Sequence, residues 1–566
     1  MFEQDVLRKI GGYYEMNLYR FMKNKVNYID IILVIGLGVI STIIPFLSHF
    51  YNISSDGIYH LARFQSIADS LKDNLIPTTL NFKYVAHNSA IGVAINSLYP
   101  WLTGLIFIIP NLIFQNPIWG LGAGFLVLNI ITILTTKSLI QYVSSNRLII
   151  YTGIIIYQFN NYHFIDMYSR SALGESIAYA FMPLVVLGLL QIYDYKRNGF
   201  LILGVGMGLL INTHIISFIF GFLIILISVL YRCVTKKITF NNLIEISKAG
   251  IVGVMVGLYS LYNLLSVYFS NNIVEPFKVI KMLDMNTMLM TLFNNDIKSE
   301  NSIGWNMGLP VTILLISLII LAYKTNENAD WKKWIVGAGI GYLLIFNWWP
   351  VESLINTPLS IIQFYGRFYV VISLLISVGF VLFLNQNSVS KKRLILLNIL
   401  IMVFSLSAIY QNHYNYWTYH QPLTSSNYYS TLKSRSTFAD YLPAKGSEKE
   451  VSILSEENIT SPQQKRLTNN SVTFKVNSKK EQIISLPAVL YKGKNYDIWV
   501  NKEKVQSLSS KVLKVKVGKG YNTIKFVSIN NKNEIFLIFS VSSFLAFSMY
   551  LFFKNRQNSI LTNSKL

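Results

Sequence analysis

The sequence predicts a polytopic α-helical membrane protein of about twelve transmembrane helices with an extracytoplasmic β-sandwich-like domain near its C-terminus, and three observations carry that prediction. Of 566 residues, 52% are hydrophobic and only 13% charged, and the mean hydropathy is +0.41, a balance foreign to soluble proteins of this size. Apolar runs of about 20 residues recur, and the Lys and Arg between them alternate as positive-inside anchoring requires. One late region breaks the pattern, being polar and alternating in period two.

Residues 1–30 precede the first apolar run and form a cytoplasmic segment rich in Lys, Arg and Tyr; the run begins too late and is too long for a cleavable signal. The first span, Ile31 to Phe50, leads outward to a polar stretch from Tyr51 to Asn96. Leu98 to Phe114 is broken by Pro100 and Pro110 and reads as interfacial. Gly120 to Leu139 returns to the basic turn Ser144 to Arg147, Leu148 to Phe159 exits, and Ser176 to Ile192 re-enters to Lys196 and Arg197. Gly199 to Leu230 is too long for one span; split in two, it puts His214 at the outer turn and Arg232, Lys236 and Lys237 inside. Ala249 to Val267, Leu309 to Ala322, Trp334 to Phe346, Val370 to Leu384 and Leu394 to Ile409 continue the alternation, and Ile535 to Phe553 closes it before Lys554 and Arg556. The chain therefore divides into residues 1–30, a membrane domain over 31–411 with its first outer loop at 51–96, an outer β-rich domain over 412–534, and a last span with a cytoplasmic tail over 535–566.

The outer domain rests on alternating segments such as Ser471 to Val476, Gln482 to Leu486, Asp497 to Val500 and Val512 to Val517, with turns at Asn501-Lys502 and Gly518-Lys-Gly. The net charge of +22 admits a nucleic-acid partner in principle, but the Lys and Arg fall mostly in short spacers between apolar runs and in this one polar region, and positive-inside anchoring explains the spacers better. Cys233 is the single cysteine, so the chain forms no internal disulfide and no cysteine metal cage.

Chemistry concentrates on the outer side. In Ser55-Asp-Gly-Ile-Tyr-His-Leu-Ala-Arg-Phe, helical spacing places Asp56, Tyr59, His60 and Arg63 on one face, with Ile58, Leu61, Ala62 and Ile67 turned to lipid or the bundle. The plainer alternative is that Asp56 caps the helix and pairs with His60. A second set, Asp166, Arg170 and Glu175, follows the third span; Asp166 and Arg170 are also spaced for a structural ion pair, while a carboxylate at Glu175, on the membrane boundary, is costly unless paired or functional. His214 at an outer turn, together with Gln363 and Arg367 at the start of the tenth span, completes the candidates; Arg367 suits a phosphate at headgroup depth, or is a snorkelling anchor. The span centres carry almost no ionisable residues, which disfavours an ion-coupled transporter.

Asp56-Gly-Ile-Tyr-His-Leu-Ala-Arg, Tyr168-Ser-Arg-Ser-Ala-Leu-Gly-Glu with Pro183 downstream, Thr213-His and Ile362-Gln-Phe-Tyr-Gly-Arg-Phe, in that order, resemble the GT-C type membrane glycosyltransferases. The resemblance is closer to the bacterial YfhO-like and 6-pyruvoyl-tetrahydropterin synthase-related membrane proteins. Leu490 to Lys502 and Val517 to Phe526 resemble the C-terminal sandwich of YfhO-like proteins, while Tyr365-Gly departs from the Pro-Trp that relatives often have before the Arg. The resemblance implies a catalytic Asp in the first outer loop, a cavity open to the outer leaflet and a polyprenyl-phosphate-linked sugar as donor.

On that basis Asp56 is expected as general base, with Glu175 and His60 in the catalytic set and Arg63, Tyr59, Asp166, Arg170, His214, Gln363 and Arg367 binding substrate. Asp56, Asp166 and Glu175 would supply hard oxygen ligands if Mg²⁺ or Mn²⁺ takes part, and the sequence leaves open whether any cofactor does. The acceptor would be a cell-envelope polymer, glycan or glycolipid. An Asn-, Lys- and Ile-rich chain hints at a low-GC bacterium and a wall polymer such as teichoic acid. The setting is a bacterial plasma membrane with the site facing outward. The outer domain would contact the acceptor or cap the cavity. A lipid-linked sugar transporter or flippase, and a non-catalytic assembly protein, stand as alternatives.

Overall fold

A computed structural model describes residues 28–48, 50–73, 75–86, 90–274, 276, 278–298, 302–326, 329–415, 422–435, 440–445, 448–452, 454, 458–529 and 533–563. Most of the predicted cytoplasmic N-terminal segment, residues 1–27, and the last three residues of the tail lie outside the described residues.

A helix occupies each of the predicted spanning segments. Eight are long and apolar enough to cross a membrane: Tyr28–Phe46, Pro117–Val143, Leu173–Tyr193, Ile215–Val234, Phe240–Tyr268, Tyr365–Gln386, Lys391–Tyr414 and Glu534–Lys554. The chain is thus a multi-pass membrane protein. Four more helices, Arg147–Gln158, Gly199–Ile211, Leu309–Lys324 and Asp330–Leu344, are shorter than 18 residues. Local chemistry sets several ends: the Asn116 side chain accepts from the Ile118 and Trp119 amides and Pro117 starts the helix, while the Asn146 side chain accepts from the Leu148 and Ile149 amides. Leu105–Ile113 is a short helix after a 3₁₀ turn at Leu102–Gly104, consistent with its two prolines.

The polar stretch after the first span folds into an 18-residue helix, Ser55–Lys72. Its N-cap is Ser54, whose hydroxyl accepts from the Gly57 amide, and not Asp56, which is the second residue of the helix and has its carboxylate beside Arg170. Ile58, Leu61, Ala62 and Ile67 are all buried in the bundle, so this helix is held by protein on that side and not by lipid.

Over residues 458–529 the late polar region forms two antiparallel sheets, and a small antiparallel pair, Ala444–Lys445 with Glu448–Ser452, precedes them. Gln464–Leu467, Ser471–Ser478, Gly520–Ile529, Asn495–Val500 and Glu503–Val505 make a five-stranded sheet in that spatial order, and Gln482–Val489 pairs with Val512–Val517. Alternation buries Val472, Phe474, Val476, Ile498, Ile524 and Phe526 on one face of the larger sheet. Asn501 and Lys502 have φ of 49° and 78°, the two left-handed positions of a two-residue hairpin turn between Val500 and Glu503.

This β module is locked onto the membrane domain by the loop that follows the first span. Ile91 exchanges backbone hydrogen bonds with Pro487 and Val489, each 2.9 Å. Asn469 donates to Asp73 at 2.5 Å, and Phe82 packs on Phe526. Lys494 reaches back to donate to Thr79 and to Asn263, each at 3.0 Å, the latter near the C-terminal end of the Phe240–Tyr268 helix.

Candidate functional site

Arg170 is the centre of the site, and an irregular backbone puts it there. After the Asn161–Phe164 helical turn the chain widens into a π-helical turn over Ile165–Ser169, in which the Arg170 amide donates five residues back to Ile165 at 2.7 Å. Ser171 then takes φ 51°, and the chain enters the Leu173–Tyr193 helix. The start of the Ser55–Lys72 helix is stapled to this turn: Ser54 donates to the Arg170 carbonyl, and Tyr51 lies 3.1 Å from the Met167 carbonyl and 3.2 Å from the Ser171 hydroxyl. Gly57 makes the approach fit, because a Cβ there would lie 2.7 Å from the Ser171 Cβ.

Three carboxylates surround the Arg170 guanidinium. Nη1 lies 2.9 Å from Asp166 Oδ1 and 2.7 Å from Glu175 Oε2, and Nη2 lies 3.7 Å from Asp56 Oδ2. Trp305 covers the guanidinium with its ring 4.7 Å away. Glu175 has a second cationic partner, since its Oε1 lies 2.7 Å from Arg367 Nε, and His214 Nε2 is 4.0 Å from that same oxygen. Arg367 also donates to the Ile362 carbonyl at 2.8 Å. Asp166 and Glu175 are 2% and 7% exposed, whereas the Asp56 side chain is 53% exposed.

Beside this network lies a narrow cleft lined by Tyr162, Asp166, Glu175, Tyr179, His214 and Arg367, with Ile216, Ser217, Phe220 and Val370 as its less polar wall. Burial pushes the Asp166 carboxyl up, reinforced by the Glu175 charge and opposed by Arg170 and Arg367. Burial likewise lowers the His214 imidazole to about 4, so at neutral pH His214 is uncharged; its Nδ1 lies 3.0 Å from the Ser217 hydroxyl.

Five of the residues singled out in the sequence, Asp56, Asp166, Arg170, Glu175 and Arg367, therefore meet in one ion network, with His214 at its edge. Arg63, Tyr59 and His60 form a neighbouring cluster. Arg63 is buried, and its Nη1 donates to the carbonyls of Tyr99 at 3.0 Å and Pro100 at 3.1 Å while Nε donates to His60 Nδ1 at 3.2 Å. Its guanidinium stacks on Tyr99 and Phe64, so it braces the turn at Tyr99-Pro100. Burial, helped by the Arg63 charge, holds the His60 imidazole well below its usual range. Tyr59 meets the rings of His60 and Tyr99 edge-on. Gln363 sits in a loop with φ 57°, its carbonyl accepting from the Lys281 amide at 2.6 Å.

Several contributors carry no signal in the sequence: Tyr162, Tyr179, Trp305 and Tyr441 are aromatic residues among 35 Tyr, 35 Phe and 9 Trp. Tyr441 precedes the β module, has φ 68°, donates its amide to the Val274 carbonyl at 3.0 Å and accepts from the Tyr491 hydroxyl at 2.9 Å. Burial beside Asp440 pushes its phenol up to about 12, and Arg63 and Arg367 are within electrostatic reach. Among the described residues no three His, Cys, Asp or Glu side chains gather as metal ligands; Asp166 and Glu175 are bridged by a guanidinium.

Compared with protein-family models, with curated proteins and with solved structures, the chain matches none.

Proposed function

We propose that this multi-pass membrane protein is a glycosyltransferase of the GT-C type, moving a sugar from a polyprenyl-phosphate-linked donor to a cell-envelope acceptor. The observation that carries the reading is the solvent-reachable carboxylate of Asp56, set 3.7 Å from Arg170 at the rim of a buried ion network that also contains Arg367. Asp56 takes the proton from an acceptor hydroxyl as its oxygen bonds to the anomeric carbon. The bond from that carbon to the donor phosphate breaks, and its electron pair leaves on the polyprenyl phosphate. Arg367 and His214, in the wall of the cleft, hold the departing phosphate, the guanidinium supplying charge and the neutral imidazole a hydrogen bond. Glu175 and Asp166 orient the two arginines, and Arg63 and His60 fix the helix that bears Asp56.

In this reading all twelve apolar helices span, both termini are cytoplasmic, and the site faces outward across a bacterial plasma membrane. The inner ends of the helices support that orientation, since Arg147, Lys196, Arg197, Arg232, Lys236 and Lys237 cluster there, opposite the site. A second reading is favoured by the pairing within the network itself: with Asp166, Glu175, Arg170 and Arg367 ion-paired with one another, the cluster serves a non-catalytic membrane protein as a brace.

Purified protein in lipid nanodiscs, given a panel of polyprenyl-phosphate sugars and cell-envelope acceptor, separates the two. Release of polyprenyl phosphate by wild type and a fall of about 10²-fold or more with Asp56→Asn are expected. Equal release by the variant sinks the role of Asp56, and no release with any donor leaves the brace.

A further inference from the structure

Half of the protein's formal charge sits where membrane anchoring does not explain it. Residues 458–529, the β module, hold thirteen Lys and one Arg against three acids, a net of +11 out of +22 for the whole chain. These residues contribute no spanning helix, and the positive-inside bias acts on short loops flanking spans.

Strand register gathers part of this charge on the outer face of the five-stranded sheet. Arg466 pairs with Thr473, Thr473 with Lys525, Lys525 with Trp499, and Trp499 with Lys504, so one row crosses all five strands. Directly paired residues point to the same side, and their sequence neighbours Val472, Phe474, Ile498, Ile524 and Phe526 are buried on the other. Four interstrand steps of about 4.8 Å give the row a length of about 19 Å. Lys475, opposite Thr523, starts the adjacent row, and Tyr521, beyond it on the same face, is 80% exposed. Asp497 shares this face and is paired with Lys504 at 2.5 Å. No described carboxylate pairs with Arg466, Lys475 or Lys525.

We infer that this sheet face binds an anionic glycan chain, its negative groups on Arg466, Lys475 and Lys525 and a sugar ring on the indole of Trp499. Unpaired positive charge on three adjacent strands, about 10 Å across, with an indole on the fourth, matches a repeating polyanion better than a single ion, because each added contact acts at high local concentration. The Trp499 ring, beside Lys525 in the row, offers a flat apolar surface to the C–H face of a sugar, which an array of lysines alone does not. The inference deepens the glycosyltransferase reading by naming the acceptor class, and it concerns binding alone.

The test uses full-length protein in zwitterionic nanodiscs and four probes: hyaluronate as an anionic glycan, neutral dextran, poly-glutamate as an anion without sugars, and vesicles containing phosphatidylglycerol. Hyaluronate is expected to bind in a salt-sensitive manner, weakened about tenfold or more by the pair Lys475→Glu and Lys525→Glu and severalfold by Trp499→Ala. Dextran and poly-glutamate should bind much more weakly. These side chains are at the surface, so unchanged melting temperatures check that the variants fold. Binding of hyaluronate that neither variant alters overturns the inference, as does absence of binding. Equal binding of poly-glutamate reduces the face to a general anion surface and removes the glycan, and vesicle binding lost with the charge-reversal pair assigns it to lipid. Asp56→Asn should leave hyaluronate binding intact, so failure of the catalytic reading and failure of this one are read separately.

Discussion

Asp56 Oδ2 lies 3.7 Å from Arg170 Nη2, and of the three carboxylates around that guanidinium it is the one that solvent reaches. The other two, Asp166 and Glu175, are spent on holding arginines. This division of labour between an accessible acid and two buried ones yields distinct expectations for each residue.

Glu175→Gln keeps the shape of the side chain while removing the charge shared by Arg170 and Arg367. Breaking a buried pair from one side leaves uncompensated charge and costs roughly 3–5 kcal/mol. A lower melting temperature in detergent is expected, together with lost turnover, whereas Asp56→Asn should leave the melting temperature unchanged. A Glu175→Gln protein as stable as wild type would show that the two arginines do not depend on it.

Gly57→Ala tests the junction between the outer helix and the π-helical turn. A new Cβ would lie 2.5 Å from Ile53 Cγ1 and 2.7 Å from Ser171 Cβ; the Ile53 side chain can turn aside, whereas Ser171 Cβ moves only with its backbone, with a strain of about 1–3 kcal/mol. The displacement acts on the helix turn that carries Asp56, so polyprenyl-phosphate release should fall more than stability does. Unaltered release and melting temperature would mean that the junction yields at no cost.

Acid should destabilise the wild type through His214. Its folded-state value is about 4, below the unfolded value of 6.5, so between these limits the unfolded chain binds more protons. The stability it contributes is fully present above about pH 6.5 and is lost as pH falls toward 4, by up to about 3 kcal/mol for this one group. His214→Gln removes the titration. Melting temperatures at pH 7.5 and 5 should therefore diverge less in the variant, and an identical pH response in both would refute the assignment.

Removal of residues 425–530 should do more than impair an acceptor. The Ile91 backbone pairs with Pro487 and Val489, and Lys494 reaches Thr79 and Asn263, so the first outer loop loses its support with the module. The truncated protein is expected to show proteolysis within residues 75–96 and no turnover at any acceptor concentration. Turnover with only a raised KM for acceptor would instead make the module a detachable binding domain.

The sequence by itself determined the recurring apolar helices of the membrane domain, the late polar β region and the stretches that carry the ionisable residues of the site. Spans are legible because lipid demands about 20 apolar residues with internally satisfied backbones, and the β region because its alternation buries one side of each strand. Asp166, Arg170 and Glu175 could be suspected together because they are close in the chain. Spacing along a helix likewise brought Asp56, Tyr59, His60 and Arg63 to one face, yet it did not reveal that Arg63 faces the Tyr99 and Pro100 carbonyls while Asp56 faces Arg170. That separation depends on a π-helical turn, on Ser171 in the left-handed region and on the absence of a Cβ at Gly57, features of backbone geometry without a periodic signature. Only tertiary structure decided that Arg367 meets Glu175 across 192 residues of sequence and that Tyr441 approaches from the far end of the chain. Long-range contacts of this kind are fixed by how whole helices pack, and one residue's neighbours in sequence carry no record of them.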